Sequence, residues 1–153
     1  MAVNARTITD DEYFYGHKAC AGCAGSLVVR QALKVLGPRT ICALPAGCMS
    51  AVGFNFPQLC FANNAFITPF AATASVLTGI RAGLEAQGED PDTFNVVGFA
   101  GDGGTADIGI QALSGAIDRN EDIIYICYDN EAYMNTGIQK SGLTPFGART
   151  TTT

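Results

Sequence analysis

The chain contains 153 residues, of which 48% are hydrophobic and 15% are charged, and its formal net charge is −5 at pH 7. This composition argues against a disordered chain, because so many apolar side chains can form a hydrophobic core. The acidic balance and the lack of a basic cluster argue against a nucleic-acid partner. The length suits a single domain, and we expect partner molecules to cover part of its apolar surface.

Residues 1–15 are predicted to be a polar N-terminal arm, and residues 16–153 a single domain. The arm lacks the apolar centre of a secretory signal, so we expect a cytoplasmic protein. Residues 40–80 contain no Asp, Glu, Lys or Arg, but prolines and asparagines interrupt this segment, which argues against a membrane-spanning helix. We expect the uncharged segment to lie against a partner subunit or a cofactor.

The first half of the domain is predicted to contain two helices and one strand. Ser26 is the expected N-cap of a helix that ends at Gly37 and Pro38. Residues 40–44 then form a strand, PAGCMSAVG forms a turn, and a second helix runs from Pro69 to near Gly88. The predicted apolar stripe of the first helix consists of Leu27, Val28, Ala32, Leu33, Val35 and Leu36.

A strand, a helix and a second strand are predicted to follow. Residues 96–100 and 123–128 are short apolar runs typical of fully buried strands in a parallel sheet. Residues 105–120 have apolar side chains at helical spacing and connect the two strands. Because such crossovers are right-handed, both carboxyl ends lie at the same edge of the sheet. The predicted fold class is therefore α/β, with a parallel sheet flanked by helices.

Glycine and polar residues follow both strands at this edge, where the ligands of open α/β sheets bind. Glycine N–H groups at a helix N-terminus bind phosphates, and carboxylate, amide and carbonyl oxygens are ligands that suit Mg²⁺. The sequence therefore predicts a site for a diphosphate bridged by Mg²⁺. The residues after the first strand are Gly101, Asp102, Gly103 and Gly104, and those after the second are Asp129, Asn130 and, further on, Asn135.

The cysteines divide into two groups. We interpret one group as small buried hydrophobic residues, because its members, Cys42, Cys60 and Cys127, lie in apolar segments. Cys20 and Cys23 instead form a C-x-x-C motif in a glycine-containing turn before a helix, which brings both sulfurs to one side, and Cys48 is a candidate third ligand. Taken alone, the motif also fits a redox dithiol or half of a zinc site. An iron–sulfur cluster needs a fourth ligand, for which Cys60 is the local candidate.

The segment GDGGTADIGIQALSGAIDRNEDIIYICYDN resembles the thiamine diphosphate motif. Taken together with GHKACAGC, the cysteine of PAGC and YDNEAYMNTGIQKSG, it resembles the β subunits of the 2-oxoacid:ferredoxin oxidoreductases, most of all the pyruvate branch. The resemblance runs from about Gly16 to the last residue. It implies a thiamine diphosphate-binding fold with a [4Fe-4S] cluster close to the cofactor.

The resemblance assigns roles to the cysteines of the C-x-x-C motif and of PAGC. Cys20, Cys23 and Cys48 match three cluster ligands, and the family's fourth cysteine lies beyond residue 153. Cys60 is then expected to be structural. Ala24 and Gly25 depart from the residues that many relatives carry after the C-x-x-C motif, which leaves the diphosphate contacts at this point open.

The resemblance also assigns the cofactor site. Asp102 and Asn130 match the side-chain ligands of Mg²⁺, and Ala132 matches the residue whose carbonyl oxygen is a further ligand. Asn135 matches a catalytic amide that approaches the substrate and the cofactor ring. The residues that match the diphosphate turn are Gly101, Gly103 and Gly104.

The implied reaction is the oxidative decarboxylation of a 2-oxoacid, in which coenzyme A takes the acyl group and ferredoxin takes the electrons. Pyruvate is the expected substrate, while branched-chain 2-oxoacids, aromatic 2-oxoacids and 2-oxoglutarate stay open. The absence of basic residues between positions 40 and 80 disfavours 2-oxoglutarate, which carries a second carboxylate. Expected partners are other subunits of α, γ and δ type, one of which supplies the glutamate that activates thiamine diphosphate. The chain alone is therefore expected to be inactive.

Two other functions fit part of the sequence. A thiamine-dependent decarboxylase or synthase without electron transfer needs only the GDG unit. A non-catalytic iron–sulfur or zinc module needs only the cysteines, but it leaves Asp102 and Asn130 without a purpose. His17, the one histidine, is interpreted as a turn residue. The chain ends in the polar tract TPFGARTTTT, and we expect the complete protein to continue beyond it.

Overall fold

The centre of the described chain is a parallel sheet, as the sequence predicted, and the sheet has four strands. The structure is a computed structural model and describes residues 8–153. In spatial order the strands are β4 (Asn64–Thr68), β1 (Thr40–Pro45), β5 (Asn95–Gly101) and β6 (Ile124–Tyr128). Every neighbouring pair is parallel, so all four carboxyl ends lie at one edge. The fold class is α/β, with helices packed against both faces of the sheet.

In the part of the chain that the structure describes, four α-helices accompany the sheet: α1 (Ala24–Leu36), α2 (Cys48–Gly53), α3 (Thr73–Ala86) and α4 (Ile110–Asp118). A two-stranded antiparallel hairpin, β2 (Phe54–Asn55) with β3 (Gln58–Leu59), follows α2. A 3₁₀ turn covers Pro91–Thr93, and a π-helical segment covers Gly103–Asp107. In the described part of the chain, none of the helices combines the length and the apolar character needed to cross a membrane.

The hydrophobic core lies on both faces of the sheet, because alternate strand residues point to opposite faces. On one face, Leu44 and Phe99 pack with Val29 and Leu33 of α1. On the other face, Ala43 and Val96 pack with side chains of α3 such as Leu77. The larger core faces α1, where it also includes Met49, Phe61 and Tyr128.

Helix α1 begins earlier than the sequence predicted and has a different buried stripe. Its N-cap is Cys23, and Ser26 lies inside the first turn, where its hydroxyl donates to the Cys23 carbonyl at 2.7 Å. Val29 and Leu33 are buried against the sheet, whereas Leu27, Val28 and Val35 of the predicted stripe are exposed. The predicted end is confirmed, since Gly37 has φ +78° and its N–H donates to the Leu33 carbonyl at 2.8 Å.

The strand–helix–strand order predicted for residues 96–128 is confirmed, but several elements of the domain differ from the prediction. The single helix predicted over residues 105–120 is a π-helical segment followed by α4, and α3 begins at Thr73 rather than at Pro69. Strand β6 was predicted to be fully buried, but it is the edge strand of the described sheet, and Ile124 and Cys127 are exposed. The sequence analysis missed α2, the hairpin and β4.

The described part of the predicted arm packs against the domain. Phe14 is 1% exposed and forms an antiparallel bridge with Phe61, so it belongs to the core. Glu12 forms ion pairs with Arg30 at 2.5 Å and Lys34 at 2.8 Å on the outer side of α1. These positions of the predicted arm therefore lie against α1 and the core. Residues 1–7 of the arm lie outside the described residues.

Candidate functional site

A cleft opens at the carboxyl ends of the strands. Two strand ends build its floor, because Asp102 follows β5 directly and Asn130 comes two residues after β6. The loop after β1 and the residue Phe70 close the opposite side. Of the predicted site residues, the cleft is lined by Cys48, Gly101, Asp102, Gly103, Gly104, Asn130, Ala132 and Asn135.

Asp102, Asn130 and Ala132 bring three polar groups to one point. Asp102 is 1% exposed, so its carboxylate lies beneath the cleft surface. One terminal atom of the Asn130 amide lies 2.9 Å from Asp102 Oδ1 and 2.9 Å from the Ala132 carbonyl oxygen. If that atom is the amide nitrogen, it donates a hydrogen bond to each of the two oxygens. If it is the amide oxygen, three acceptor oxygens face one another and need a cation between them. The donor set therefore fits a hard ion such as Mg²⁺.

Two glycines of the GDGG turn allow aromatic rings to approach the backbone. A Cβ atom added to Gly103 would lie 2.4 Å from the Tyr133 ring. A Cβ atom added to Gly104 would lie 3.0 Å from the Phe70 ring. Phe70 and Tyr133 themselves contact edge to face, with ring centroids 6.0 Å apart. These glycines are thus required by the walls of the cleft, apart from any contact with a diphosphate.

The π-helical segment ends at Asp107, which takes part in a partly exposed hydrogen-bond network with the cleft residue Tyr133. The wider turn is seen in the bond from the Ile108 N–H to the Gly103 carbonyl at 3.1 Å, and such turns are frequent at functional sites. Asp107 accepts the Tyr133 hydroxyl at 2.7 Å and the Gly142 N–H at 2.9 Å. Burial, together with this hydrogen bond to Asp107, raises the pKa of Tyr133 to about 12. Tyr133 is therefore a wall residue held in its protonated form.

Cys48 lies where the cleft meets the predicted cluster ligands. It is the first residue of α2, and Ser50 fixes that start by accepting the Gly47 N–H at 2.8 Å. Burial raises the pKa of the Cys48 thiol, and the neighbouring Cys23, Cys20 and Asp102 raise it further, while a hydrogen bond with Asn130 lowers it. Cys48 thus lines the same cleft as Asp102 and Asn130, and it packs against the same core cluster as Cys23.

The C-x-x-C turn leads directly into α1. The Cys23 N–H donates to the Cys20 carbonyl at 3.1 Å, and Gly22 between them has φ +73°. Cys20 is exposed and Cys23 is half-buried. His17 has a structural role, because its Nδ1 accepts the Ala19 N–H at 3.3 Å and its ring stacks on Phe14 with centroids 4.8 Å apart.

The three predicted ligand cysteines do not form a site for a single metal ion in the described part of the chain. Within residues 8–153, no three His, Cys, Asp or Glu side chains are gathered closely enough to hold one metal ion. A single Zn²⁺ draws its sulfur ligands to about 2.3 Å from one point, whereas each cysteine of a [4Fe-4S] cluster binds a different iron atom. Of the three predicted ligand cysteines, Cys48 lines the cleft, and a cluster held by them requires a fourth ligand.

The remaining cysteines are not ligand candidates in this arrangement. Cys42 is buried, and its burial raises the pKa of the thiol to about 12. Cys60 is 2% exposed within the core, and its thiol donates to the Val52 carbonyl at 3.5 Å. Both agree with the predicted role of buried hydrophobic residues. The same prediction is wrong for Cys127, which is exposed because β6 is an edge strand.

Sequence reasoning missed several residues of the cleft. Phe70 and Met134 line its walls, and the Tyr128 hydroxyl, 3.4 Å from the Met49 backbone nitrogen, reaches it from below. Ser141 is 2% exposed and donates to Asp102 Oδ2. A small polar residue 39 positions after Asp102 carries no local signal, since only the folded chain brings the two together.

Residues 45–153 match the family described as thiamine pyrophosphate enzyme, C-terminal TPP binding domain. The match covers more than half of the chain and includes the whole cleft, so this chain belongs to that family. A solved 2-oxoglutarate:ferredoxin oxidoreductase from Magnetococcus marinus, with 2-oxoglutarate, coenzyme A and succinyl-CoA bound, has the same fold. The two align with a TM-score of 0.67 and 20% identity over 88% of this chain and 46% of that chain. The predicted thiamine diphosphate-binding fold is confirmed.

Similar curated proteins are subunits of 2-oxoacid oxidoreductases, which confirms the resemblance found in the sequence. The chain is 52% identical over 147 residues to the ketoisovalerate oxidoreductase subunit VorB of Pyrococcus horikoshii, covering 94% of this chain and 47% of the relative. It is 51% identical over 146 residues to the pyruvate synthase subunit PorB of Methanothermobacter thermautotrophicus, covering 95% and 50%. The chain thus spans about half the length of these curated relatives.

Proposed function

We propose that this chain carries the thiamine diphosphate site of a 2-oxoacid:ferredoxin oxidoreductase and is part of its β subunit. The reaction joins the acyl group of a 2-oxoacid to coenzyme A, releases CO₂ and passes the electrons to ferredoxin, with pyruvate as the substrate. The observation that carries the proposal is the position of Cys48, which lines the cleft together with Asp102 and packs against the same core cluster as Cys23 of the C-x-x-C motif. A decarboxylase without electron transfer has no use for thiols at this point.

Asp102, Asn130 and the Ala132 carbonyl would hold Mg²⁺, and the ion would bind the diphosphate at the floor of the cleft. When bound, thiamine diphosphate supplies a carbanion that attacks the keto carbon and an electron sink for the loss of CO₂. The burial of Asp102 strengthens its attraction for the ion, because water screens the charge less there. The GDGG turn leaves backbone groups accessible at the cleft floor for the phosphate oxygens.

Cys20, Cys23 and Cys48 would bind the [4Fe-4S] cluster, with a fourth cysteine from outside residues 1–153. The cluster then lies beside the cleft rather than across the protein, because Cys48 lines the cleft itself. This position suits the passage of single electrons away from the reacting carbon. The Asn135 amide is exposed on the cleft wall, where it is available to the substrate carbonyl or carboxylate.

The walls of the cleft favour a small 2-oxoacid with a single carboxylate. Residues 45–48 and Phe70 carry no charge, so they offer no partner to a second carboxylate. Pyruvate and ketoisovalerate both satisfy this condition, and relatives named for each are similar to the chain to nearly the same extent, at 51% and 52% identity. Ketoisovalerate is therefore the second candidate substrate.

A partner subunit would supply the glutamate that activates the cofactor. No glutamate is among the described residues that line the cleft. Glu131, which directly follows the cleft residue Asn130, is exposed. The backbone N–H of Glu131 donates to Asp129 Oδ1 at 2.8 Å. The proposed assembly therefore contains α-, γ- and δ-type subunits with this one, works in the cytoplasm and delivers electrons to ferredoxin.

The test is anaerobic isolation of the full-length complex, followed by counting thiamine diphosphate, iron and acid-labile sulfide per β chain. We expect one thiamine diphosphate and about four irons with four sulfides attributable to this subunit. Assays with a viologen acceptor and coenzyme A then compare pyruvate with ketoisovalerate. The isolated chain, measured in parallel, is expected to show no turnover.

The other outcomes each contradict a defined part of the proposal. Thiamine diphosphate without iron would make the protein a decarboxylase or synthase. Iron without thiamine diphosphate would make it an electron-transfer module, and turnover by the isolated chain would remove the need for a partner glutamate. A higher kcat/KM for ketoisovalerate than for pyruvate would replace the substrate and leave the reaction class unchanged.

A further inference from the structure

A four-residue turn, formed by residues 141–144 with the sequence SGLT, connects the two halves of the oxygen site. The turn is closed by the Thr144 N–H, which donates to the Ser141 carbonyl at 3.3 Å. It lies beyond the metal-ligand candidates in sequence and contributes none of them. Its contacts nevertheless reach both strand ends that carry the ligands.

The first contact is with the carboxylate at the end of β5. The Ser141 hydroxyl donates to Asp102 Oδ2, whereas Oδ1 of the same carboxylate faces Asn130. Ser141 is 2% exposed and Asp102 is 1% exposed, so water does not replace this bond. Because one carboxylate oxygen is occupied by the hydroxyl, the other is directed towards the point where Asn130 and Ala132 meet.

The second contact is with the loop after β6. The Thr144 hydroxyl donates to the Glu131 carbonyl at 2.6 Å, directly before Ala132 in the chain. The Ser141 N–H donates to Thr144 Oγ1 at 2.9 Å, and the hydroxyl oxygens of Ser141 and Thr144 lie 3.3 Å apart within the turn. The turn therefore holds Asp102 through one hydroxyl and the segment with Ala132 through the other.

A third contact fixes the turn to the helical segment after Asp102. The Gly142 N–H donates to both carboxylate oxygens of Asp107, at 3.0 and 2.9 Å. A Cβ atom at Gly142 would lie 2.4 Å from Asp107 Oδ1, so a glycine is needed for this approach. The turn thus has a defined position relative to β5, the π-helical segment and the loop after β6.

We infer that Ser141 is a positioning residue for the metal ligand Asp102, and that the 141–144 turn sets the distance between Asp102 and the Ala132 carbonyl. The inference rests on the proposed function, because it concerns the same Mg²⁺ site. Ser141 touches neither the ion nor the substrate and acts through the carboxylate that it orients. Partners of this kind typically change metal affinity by about 10-fold to 100-fold when they are removed.

The test uses the full-length subunit in its complex, freed of cofactor with a chelator and then titrated with Mn²⁺ at saturating thiamine diphosphate. Electron paramagnetic resonance of free Mn²⁺ gives the Kd, and the bound signal reports the symmetry of the ligands. Ser141→Ala is expected to raise the Kd for Mn²⁺ about 10-fold or more and to change the bound signal. Ser141→Thr, which keeps the hydroxyl, is expected to restore the Kd to within about threefold of the wild type.

The matched control is Thr40→Val, at the amino end of β1. Thr40 is 2% exposed and its hydroxyl donates to the Gly37 carbonyl at 2.8 Å, so this change also removes a buried hydroxyl, but far from the cleft. It is expected to leave the Kd for Mn²⁺ unchanged. Should Ser141→Ala not fold, Thr144→Val removes the contact with the Glu131 carbonyl from a half-buried position, and the Kd is expected to rise severalfold.

The outcomes separate this inference from the proposed function. If the wild type binds neither Mn²⁺ nor thiamine diphosphate, the proposed function fails. If the wild type binds both, and Ser141→Ala or Thr144→Val has an unchanged Kd, the inference alone is wrong. A variant that unfolds at lower urea concentration with an unchanged Kd and bound signal would show a purely structural role, which also overturns it.

Discussion

The proposed Mg²⁺ site, formed by Asp102, Asn130 and Ala132 (the oxygen site), and the proposed cluster site, formed by Cys20, Cys23 and Cys48 (the sulfur site), differ in how far this chain completes them. At the oxygen site, Asp102 is buried, Asn130 and Ala132 converge on it, and Ser141 holds its second oxygen. At the sulfur site, Cys20 is exposed and Cys23 is half-buried, and a fourth ligand is not among the local candidates. The two proposed sites differ because Mg²⁺ and an iron–sulfur cluster need different numbers and kinds of protein ligands.

A hard ion needs few protein ligands, because phosphate and water oxygens fill its other positions, so a preformed oxygen site is sufficient. A cluster needs four sulfur ligands and is itself part of the folded structure around it. We therefore expect changes to the proposed Mg²⁺ ligands to affect mainly ligand affinity, and changes to the proposed cluster ligands to affect local folding as well.

The largest expected effect comes from Asp102→Ala. The substitution removes the only carboxylate among the three proposed Mg²⁺ ligands, and we expect Mg²⁺-dependent retention of thiamine diphosphate to fall by at least about 100-fold. Equilibrium dialysis of the complex with and without Mg²⁺ measures the retention. Unchanged retention would remove Asp102 from the ligand set and would end the distinction between the two sites.

Cys48→Ser tests the residue that lines the cleft and is also a proposed ligand of the cluster. We expect it to abolish most of the visible absorbance of the iron–sulfur cluster, because an oxygen replaces one of the sulfur ligands. Cys42→Ser is the matched control, since Cys42 is buried in β1 and belongs to the core. Equal losses of absorbance in the two variants would show that the ligand assignment is wrong.

Gly103→Ala tests whether the wall of the oxygen site is as closely packed as its geometry indicates. The added methyl group would meet the Tyr133 ring at 2.4 Å, and overpacking of this kind costs about 1–3 kcal/mol of the free energy of unfolding. Urea denaturation measures this change. Gly83→Ala on α3, where an added Cβ meets nothing within 4 Å, is the control that is expected to stay close to wild type.

The smallest expected effect concerns Glu12, which links the segment before the C-x-x-C turn to α1 behind it. Hydrogen bonds from Arg30 and Lys34 lower the pKa of Glu12 from 4.5 to about 2. Since the folded-state pKa is the lower one, the stabilisation is complete above pH 4.5 and is lost as the pH falls towards about 2. The ion pairs are partly exposed, so the contribution is small.

Thermal unfolding across this pH window measures the contribution of Glu12. The Tm of the wild type is expected to fall further than the Tm of Glu12→Gln as the pH falls from 4.5 to about 2. A parallel decline of the two proteins would show that these ion pairs do not stabilise the segment before Cys20.

The sequence was sufficient for those parts of the fold and site that depend on local patterns. The β5–α4–β6 unit was predicted from apolar runs and helical spacing, and its polar ends placed Asp102 and Asn130 in the same cleft. Strand β4 was missed because Asn64 and its neighbours form a strand only by pairing with β1, which lies more than 20 positions earlier.

Long-range relations account for the other differences. The exposure of Cys127 follows from the strand order, which no local pattern encodes. The π-helical turn arises where Gly103 lies beneath the Tyr133 ring, 30 positions further along the chain. Ser141 was overlooked for the same reason, since its partner Asp102 is 39 positions away.

Strand β6 has a consequence for handling the protein. Its outer edge carries backbone N–H and C=O groups that are unpaired within the described sheet, next to the exposed side chains of Ile117 and Ile124. An apolar strand edge of this kind pairs readily with a second copy, which leads to aggregation. Residues 1–153 expressed by themselves are therefore expected to precipitate at high concentration, and a lysine in place of Ile124 is expected to keep them in solution.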